Sequence, residues 1–470
     1  MQLTKTNYLQ FLKCPKSLWI LKHKPHLYPK STTSKYEEKL AAEGYQVQKL
    51  VEQYLLQGED TNKYSFEKPY QTDEGLYAMA DIISRNEDGS VNVYEVKSTG
   101  SIYKEHLIDA TFQTITIEKS GTPVKSIYVV HLNKDYVRDD ELNVGEMMVF
   151  SEVTAEVHEL INDTTARVEI ALKILNQPVI DETSCSCLEL SKSHHCESFD
   201  YFNPKIPKPS IYNLPRIHKN KILKFSSEGR YNLNEIDEDE VSGNQLNVLR
   251  AAKTNTAVID NEVIKKFYEE VEYPVYFLDY ETYSSAIPFV KGAKPHSHIP
   301  FQYSLHVKQG IDDEAMQHFE YLANNTELPI KMVESMEKLI GTKGSIVTWH
   351  KSFENTRNKE MGILYPHKAD FLTNISDRTI DLEDIFKGGY VDIAFGGSTS
   401  IKKVLPVIVP ELTYEGMEVA NGTDAMEAFI RMLEMPNGSE KEKLRKDMLA
   451  YCELDTLAMV RIFDQMREHC

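Results

Sequence analysis

The sequence predicts two α/β domains in series, joined by a helical connector. Three observations carry that expectation. Two strand patterns, LYAMADIIS and VNVYEVKS, flank the turn RNEDG and lie between helical patterns in the first 204 residues. A lysine- and proline-rich stretch then gives way to the acidic run EIDEDE at 235–240. From Tyr273 a second set of apolar strands begins, and it closes on the long helical pattern KEKLRKDMLAYCELDTLAMVRIFDQM. The expected divisions are residues 1–204, 205–270 and 271–470.

The first domain opens helically. KYEEKLAAEGYQVQKLVEQYLLQG places Leu40, Gly44, Val47, Val51 and Leu55 on one face and stops at Gly58. After the hairpin, YKEHLIDATFQTITIEKSG spaces Ile108, Phe112 and Ile115 as one helical face. SIYVVHL reads as a strand and LINDTTARVEIALKIL as a later helix. The connector carries Lys205, Lys208, Arg216, Lys219, Lys221 and Lys224 without an intervening acid. That run reads either as a solvated linker or as a strip that contacts phosphates. In the second domain VYFLDYE, PFQYSLHVK and GSIVTWH read as strands.

Composition bounds the function. A chain of 470 residues holds two or three domains with cores of their own. Hydrophobic residues at 41% and aromatic residues at 10% exclude a disordered chain. No uncharged apolar run is long enough for a bilayer, and the opening MQLTKTNYLQFLKCPKSLW lacks the apolar stretch of a signal peptide. A soluble, cytoplasmic protein without membrane contact is expected. The net charge of −19 excludes a constitutive nucleic-acid coat but not an enzyme with a local basic groove.

Asp81, Glu95 and Lys97 form the first candidate site. A hairpin centred near Asp88 sets Asp81 opposite Glu95, with Cβ atoms roughly 5 Å apart. Lys97 shares the face of Glu95, two residues on. Two carboxylates and a lysine suit metal-dependent phosphodiester hydrolysis, in which hard oxygens hold Mg²⁺ or Mn²⁺. Asp81 with YEVKS resembles the PD-(D/E)XK nuclease motif in its RecB-like form. The resemblance implies a restriction-endonuclease-like fold and adds Gln113 to the site. Ile117 stands where that branch has a tyrosine. EGYQVQ offers Glu43 and Gln48 where it has a histidine, so Glu43 is the expected helix-borne ligand.

Six cysteines are present, and Cys185, Cys187 and Cys196 cluster within twelve residues. In a cytosolic chain this pattern reads as a metal site before disulfides. With Cys14, in FLKCPKSLW, the set resembles the four cysteines that bracket RecB-type exonucleases and hold a [4Fe–4S] cluster. Zn²⁺, with His194 or His195 as added ligands, is the alternative.

Asp279 and Glu281, in LDYET, alternate along a strand and share one face. Glu354 follows in SFENT. Tyr451 and Asp455, in YCELD, lie four apart on the terminal helix and also share a face. The order resembles DEDD-type 3′→5′ exonucleases of RNase H-like fold, in the tyrosine form, with Glu354 where aspartate is usual. That resemblance implies two cations held by Asp279, Glu281, Glu354 and Asp455, with Tyr451 orienting water. In GSTSIKKVLP, Lys402 and Lys403 are candidate phosphate contacts and Ser398 and Ser400 candidate helix caps. Asp381, in TIDLEDIF, reads as a supporting acid or a cap.

YFLDYET, HIPFQYSLHV, SFENTR and GGSTSIKKVLP with LTY resemble a bacterial uncharacterised family that fuses a RecB-like nuclease to a DEDD-type exonuclease domain. The resemblance covers nearly the whole chain. It implies a divalent-metal-dependent nuclease acting on single-stranded DNA, with RNA left open, in repair or defence. The alternatives are an RNA-directed exonuclease and a nucleic-acid-binding or assembly module in which one site, the N-terminal one first, is inactive.

Overall fold

The computed structural model describes residues 1–29, 35–57, 61–311, 313 and 316–470. The expected helix stop at Gly58 lies outside them. The architecture is mixed α/β, in two compact units. One comprises Met1–Ile206 with Ser285–Ser297. The other comprises Pro207–Ser284 with His298–Cys470. Residues 207–270, expected as a connector, therefore cluster with the second unit, and the loop 285–297 clusters with the first.

The first unit runs β1 (Leu3–Thr4), α1 (Lys5–Lys13), α2 (Pro15–His23), α3 (Lys35–Leu56), β2 (Tyr64–Gln71), β3 (Leu76–Arg85) and β4 (Val91–Val96). It continues α4 (Lys104–Lys119), β5 (Val124–Leu132), α5 (Val144–Met147), β6 (Met148–Glu152), α6 (Thr154–Asn176) and α7 (Phe199–Phe202). The six strands form one sheet in the order β1-β3-β4-β5-β6, with β2 on β3. The β3–β4 hairpin closes because Asp88 Oδ1 accepts from the Ser90 amide at 3.0 Å and Gly89 takes φ +84°. Its register, Ile82 opposite Tyr94 and Ile83 opposite Val93, is the one the turn predicts. β4 and β5 are parallel, which requires the α4 crossover.

Two helix readings change. Along α3 the buried residues are Glu43, Val47, Val51 and Glu52, while Leu40 is exposed. A carboxylate, not Leu40, occupies the inward position one turn before Val47. In α4 every residue from Asp109 to Ile117 is buried, because the helix has protein on more than one side. Phe112 and Ile115 pack with Leu18, Val168 and Ala171, while Ala110 packs with Ile127 and Val157.

The second unit runs α8 (Lys219–Ser227), α9 (Asn244–Thr254), β7 (Val258–Ile259), α10 (Asn261–Glu269), β8 (Val275–Tyr283), β9 (Ile299–Lys308) and β10 (Gln317–Leu322). Then follow α11 (Ile330–Leu339), β11 (Ile346–Thr348), α12 (Ser352–Leu364), α13 (Ala369–Asp377), β12 (Thr379–Asp381) and β13 (Tyr390–Val391). The last helices are α14 (Ile401–Ile408), α15 (Gly422–Glu434) and α16 (Ser439–Arg467). A five-stranded sheet is ordered β10-β9-β8-β11-β12. β8 pairs antiparallel with β9 and parallel with β11. β7 and β13 form a separate pair.

Strand alternation sorts β8 between two cores. Tyr276, Leu278 and Tyr280 pack with Met332, Met361 and Ile375 from α11, α12 and α13. Val275 and Phe277 face the other way, toward Ala458, Ile462 and Phe463 of α16. Continuing that alternation puts Asp279 and Glu281 on the α16 side.

The acidic run 235–240 is paired with nearby cations, of which Lys224 belongs to the basic run. Lys224 pairs with Glu240 at 2.5 Å and Arg230 with Glu240 at 2.6 Å, while Arg250 pairs with Glu238 at 2.7 Å. Beside them, Gly397 (φ +82°) packs so tightly that a Cβ would lie 2.1 Å from the Asn213 carbonyl oxygen.

Candidate metal centres and active sites

In the first unit the Glu95 charge acts on Asp81. Asp81 Oδ2 accepts from the Val96 amide at 2.9 Å. Glu95 is buried, and its Oε1 takes Lys97 Nζ at 2.6 Å. Its Oε2 accepts from Gln113 Nε2, whose own Oε1 is buried without a partner among the described residues. Two further residues complete the network. Asp109, one helical turn before Gln113, receives Lys97 at 2.5 Å, and Lys5 reaches both Glu95 and Asp109 at 3.1 Å. The i, i+4 relation to Gln113 signals Asp109, whereas nothing local in the sequence signals Lys5. Burial and then the Glu95 charge push Asp81 and Asp109 well above the ordinary aspartate range. Burial also works against ionised Glu95, but Lys97 and Lys5 outweigh it and hold that group low. Glu43 is held elsewhere, by Lys39 at 2.7 Å and by the Ala286 amide at 3.3 Å. Among the described residues no hydrogen bond or ion pair joins it to Asp81 or Glu95. A cavity of about 320 Å³ opens beside Asp81, Gln113, Lys5, Gln48 and Glu67.

Cys14, Cys185, Cys187 and Cys196 converge, all buried, with their sulfurs within 4.8 Å of one another. Cys14 ends α1 and precedes α2, so chain entry is fixed by two helices. Asn203 Nδ2 donates to Cys185 Sγ at 3.4 Å. Hydrogen bonds among the sulfurs, from Cys14 first, push Cys185 and Cys187 below the ordinary thiol range. Four clustered thiols of which some favour the thiolate are a soft donor set and could bind a metal. Histidine does not complete it. His195 Nε2 bonds the Leu190 carbonyl at 3.1 Å and its ring stacks on Phe199 at 3.6 Å, while His194 Nδ1 bonds Ser191 at 2.8 Å. The mixed Cys/His alternative thereby gives way to four cysteines.

In the second unit Asp279, Glu281 and Asp455 each offer an oxygen within 4.8 Å of the other two. β8 supplies two of them from one face, and α16 supplies the third. Glu354, buried in the first turn of α12, lies outside that trio, yet its charge helps raise both Asp279 and Glu281. Its Oε2 is buried and has no hydrogen-bond partner among the described residues. Burial first, then mutual repulsion, pushes Asp279 and Glu281 far above the carboxylate range. Burial also raises Asp455, against hydrogen bonds from Tyr414 and Tyr451 and the charge of Lys402. Close, desolvated acids and an orphaned carboxylate oxygen, with the charge of Lys402 acting on Glu281 and Asp455, are a donor set that fits divalent cations.

The surrounding residues are mostly new. Tyr414 donates to Asp455 at 2.6 Å, and the Cys452 thiol lies 3.6 Å from Asp279. Tyr414 sits in the stretch LTY and Cys452 inside YCELD, so both are adjacent to motif residues without themselves having a recognisable spacing. Lys402, expected to face phosphates, is half-buried. Its ammonium donates to the Ala420 carbonyl at 2.7 Å and lies 5.4 and 5.6 Å from the Tyr414 and Tyr451 rings. Lys403 is exposed. Ser400 precedes α14 without a side-chain cap, and Ser398 Oγ accepts from the Ser400 amide at 3.2 Å. Asp381 works as a backbone clamp. It accepts from the amides of His350 at 2.9 Å, Lys351 at 3.1 Å and Glu383 at 3.2 Å, fixing the turn that launches α12. That turn carries His350 at φ +70°.

Residues 276–400 match a family model described as a domain of unknown function, DUF2779. The matched segment starts within β8 and ends just before α14, so it contains Asp279, Glu281 and Glu354 but not Asp455. "Uncharacterized protein MG366" of Mycoplasma genitalium is 32% identical over 210 residues, covering 40% of this chain and 31% of that protein. Its homolog in Mycoplasma pneumoniae is 26% identical over 234 residues, covering 46% and 35%. "Uncharacterized protein UU173" of Ureaplasma parvum is 27% identical over 234 residues, covering 45% and 33%. The matches thus span about a third of the length of these relatives. The crystal structure of SSO0001 aligns at a TM-score of 0.21 and 14% identity, over 38% of this chain and 85% of that one.

Proposed function

We propose that the protein is a divalent-metal-dependent nuclease whose RNase H-like second unit carries a DEDD-type exonuclease site. The convergence of Asp279, Glu281 and Asp455 within 4.8 Å carries this reading. Cations held by these residues and Glu354 would supply an activated water and neutralise charge on the phosphodiester. The chain's own groups serve that chemistry. Tyr451, one helical turn before Asp455, favours its ionised form and is itself kept protonated by burial and by the acids, so it serves as a donor and does not act as a base. Tyr414 holds the other side of Asp455 in the same way. Lys402 favours the ionised carboxylates, readying them as ligands. Single-stranded DNA is the proposed substrate, with RNA the alternative.

The first unit fits a PD-(D/E)XK arrangement in residue type, with Lys97 and Gln113 on Glu95 and Asp81 on the Val96 amide. It fits a cation less well. Both Glu95 oxygens are taken by donors, and the lysine ammoniums already counter the acids. That saturation favours a second reading for this unit, a nucleic-acid-binding or scaffold role. The four cysteines would hold a [4Fe–4S] cluster or Zn²⁺.

End-labelled single- and double-stranded DNA and RNA, incubated with Mg²⁺ or Mn²⁺, test the division of labour. Wild type, Lys97→Ala and Asp279→Ala are compared. Loss of cleavage in Asp279→Ala alone assigns catalysis to the second unit and a scaffold role to the first. A distinct product pattern lost in each variant assigns two active sites. If wild type cuts no substrate with either metal, the nuclease reading fails.

A further inference from the structure

We infer that His306, His318 and Glu453 form a transition-metal site of the second unit, separate from the carboxylate trio, that takes Zn²⁺ or a cation of like chemistry. The three residues come from three elements. His306 on β9 and His318 on β10 are directly opposed in the ladder, with ring centroids 4.4 Å apart. Glu453 projects from α16, its Oε1 3.6 Å from His318 Nδ1. One ligand atom from each lies within 4.8 Å of the other two.

Proton counting shows how the imidazoles are poised. Thr456 Oγ1 donates to the Glu453 carbonyl at 3.1 Å. Its single proton is then used, so Ser304 must donate across the 2.6 Å contact to Thr456. Ser304 in turn accepts from His318 Nε2 at 3.0 Å, and Thr456 accepts from His306 Nδ1 at 2.8 Å. Each ring therefore holds its proton on the nitrogen that faces a hydroxyl. The other nitrogens, His306 Nε2 and His318 Nδ1, carry lone pairs. Two lone pairs gathered beside a carboxylate repel unless a metal cation, or a proton on His318, lies among them. This is also how ligating histidines are commonly oriented, with the remote N–H fixed by a hydrogen bond. Two imidazole nitrogens and one carboxylate oxygen suit Zn²⁺, with water to complete the set.

The site would tie α16 to the sheet two residues from Asp455, so its occupancy is set to stabilise the helix that carries the carboxylate trio's third member. It needs no assumption about what that trio does.

The test uses the full-length chain, stripped by chelator and dialysed against Zn²⁺. Wild type and the double variant His318→Ala/Glu453→Ala are compared by elemental analysis. Both side chains are partly exposed, and the variant keeps the cysteines and the carboxylate trio. The expected result is one zinc fewer per chain. A second measurement needs no substitution: Zn²⁺ titration should shift the ring NMR signals of His306 and His318 together. An unchanged zinc count in a folded variant overturns the site. So do ring signals that move with pH but not with Zn²⁺, which would mark a His318–Glu453 ion pair only.

Discussion

Asp279 and Asp455 meet although 176 positions separate them, with a thiol beside Asp279 and two phenols and an ammonium acting on Asp455. If these acids hold the reactive cations, Asp455→Asn should lower the turnover of a labelled oligonucleotide by about 10³-fold, or ~4 kcal/mol of barrier. Tyr451→Phe keeps the ring under Lys402 but loses the hydroxyl. About a 10²-fold fall in kcat with little change in KM is expected, since positioning of water acts in the chemical step. The same residues predict a pH effect without metal. Folding raises Asp279, Glu281, Glu354 and Asp455 above their unfolded values. The folded state therefore holds extra protons. Its stability is full below about pH 4 and falls as pH rises through the folded values, Glu281 being pushed up to about 8. Thermal melts in chelator should show Tm dropping from pH 5 to pH 8, at up to about 1.4 kcal/mol per pH unit for each retained proton. Mn²⁺ should reverse the drop most strongly at the upper end. A Tm that rises over that interval contradicts the assignment.

At the scale of elements, the turn between β11 and α12 is the weak joint of the site. Asp381 is buried and accepts from two backbone amides of that turn, His350 and Lys351, and from the Glu383 amide after β12. Asp381→Ala should destabilise the protein by about 2 kcal/mol, read as a shift in the urea midpoint, because buried donors lose their acceptor. Much of this level was legible in the sequence. The β3–β4 register followed from one turn, and the shared face of Asp279 and Glu281 followed from strand alternation. What was not legible depended on packing across elements. The inward face of α3 includes Glu43 in place of Leu40, because a partner outside the helix, the Ala286 amide, receives its carboxylate. Lys5 and Tyr414 joined sites through contacts 90 and 41 positions away, and Lys402 acts on Glu281 from still farther along the chain, which no local pattern encodes.

For the whole molecule, two compact units each gather a donor set for metal, of different hardness: four thiols in one and three carboxylates in the other. Cys14 and Cys196 lie far apart in sequence, so their shared ligation would close the first unit upon itself. Anaerobically purified protein should carry iron and sulfide that Cys14→Ser loses together with stability; zinc without iron in elemental analysis would replace the cluster by Zn²⁺ in the same cysteines. The carboxylate trio decides the central claim. The most direct measurement follows a 5′-labelled single-stranded oligonucleotide on a sequencing gel, with Mn²⁺, for wild type and Asp455→Asn. A ladder shortening by single nucleotides from the 3′ end in wild type, absent in Asp455→Asn, is the predicted result. Equal cleavage by both proteins, or an intact oligonucleotide in both, would contradict it.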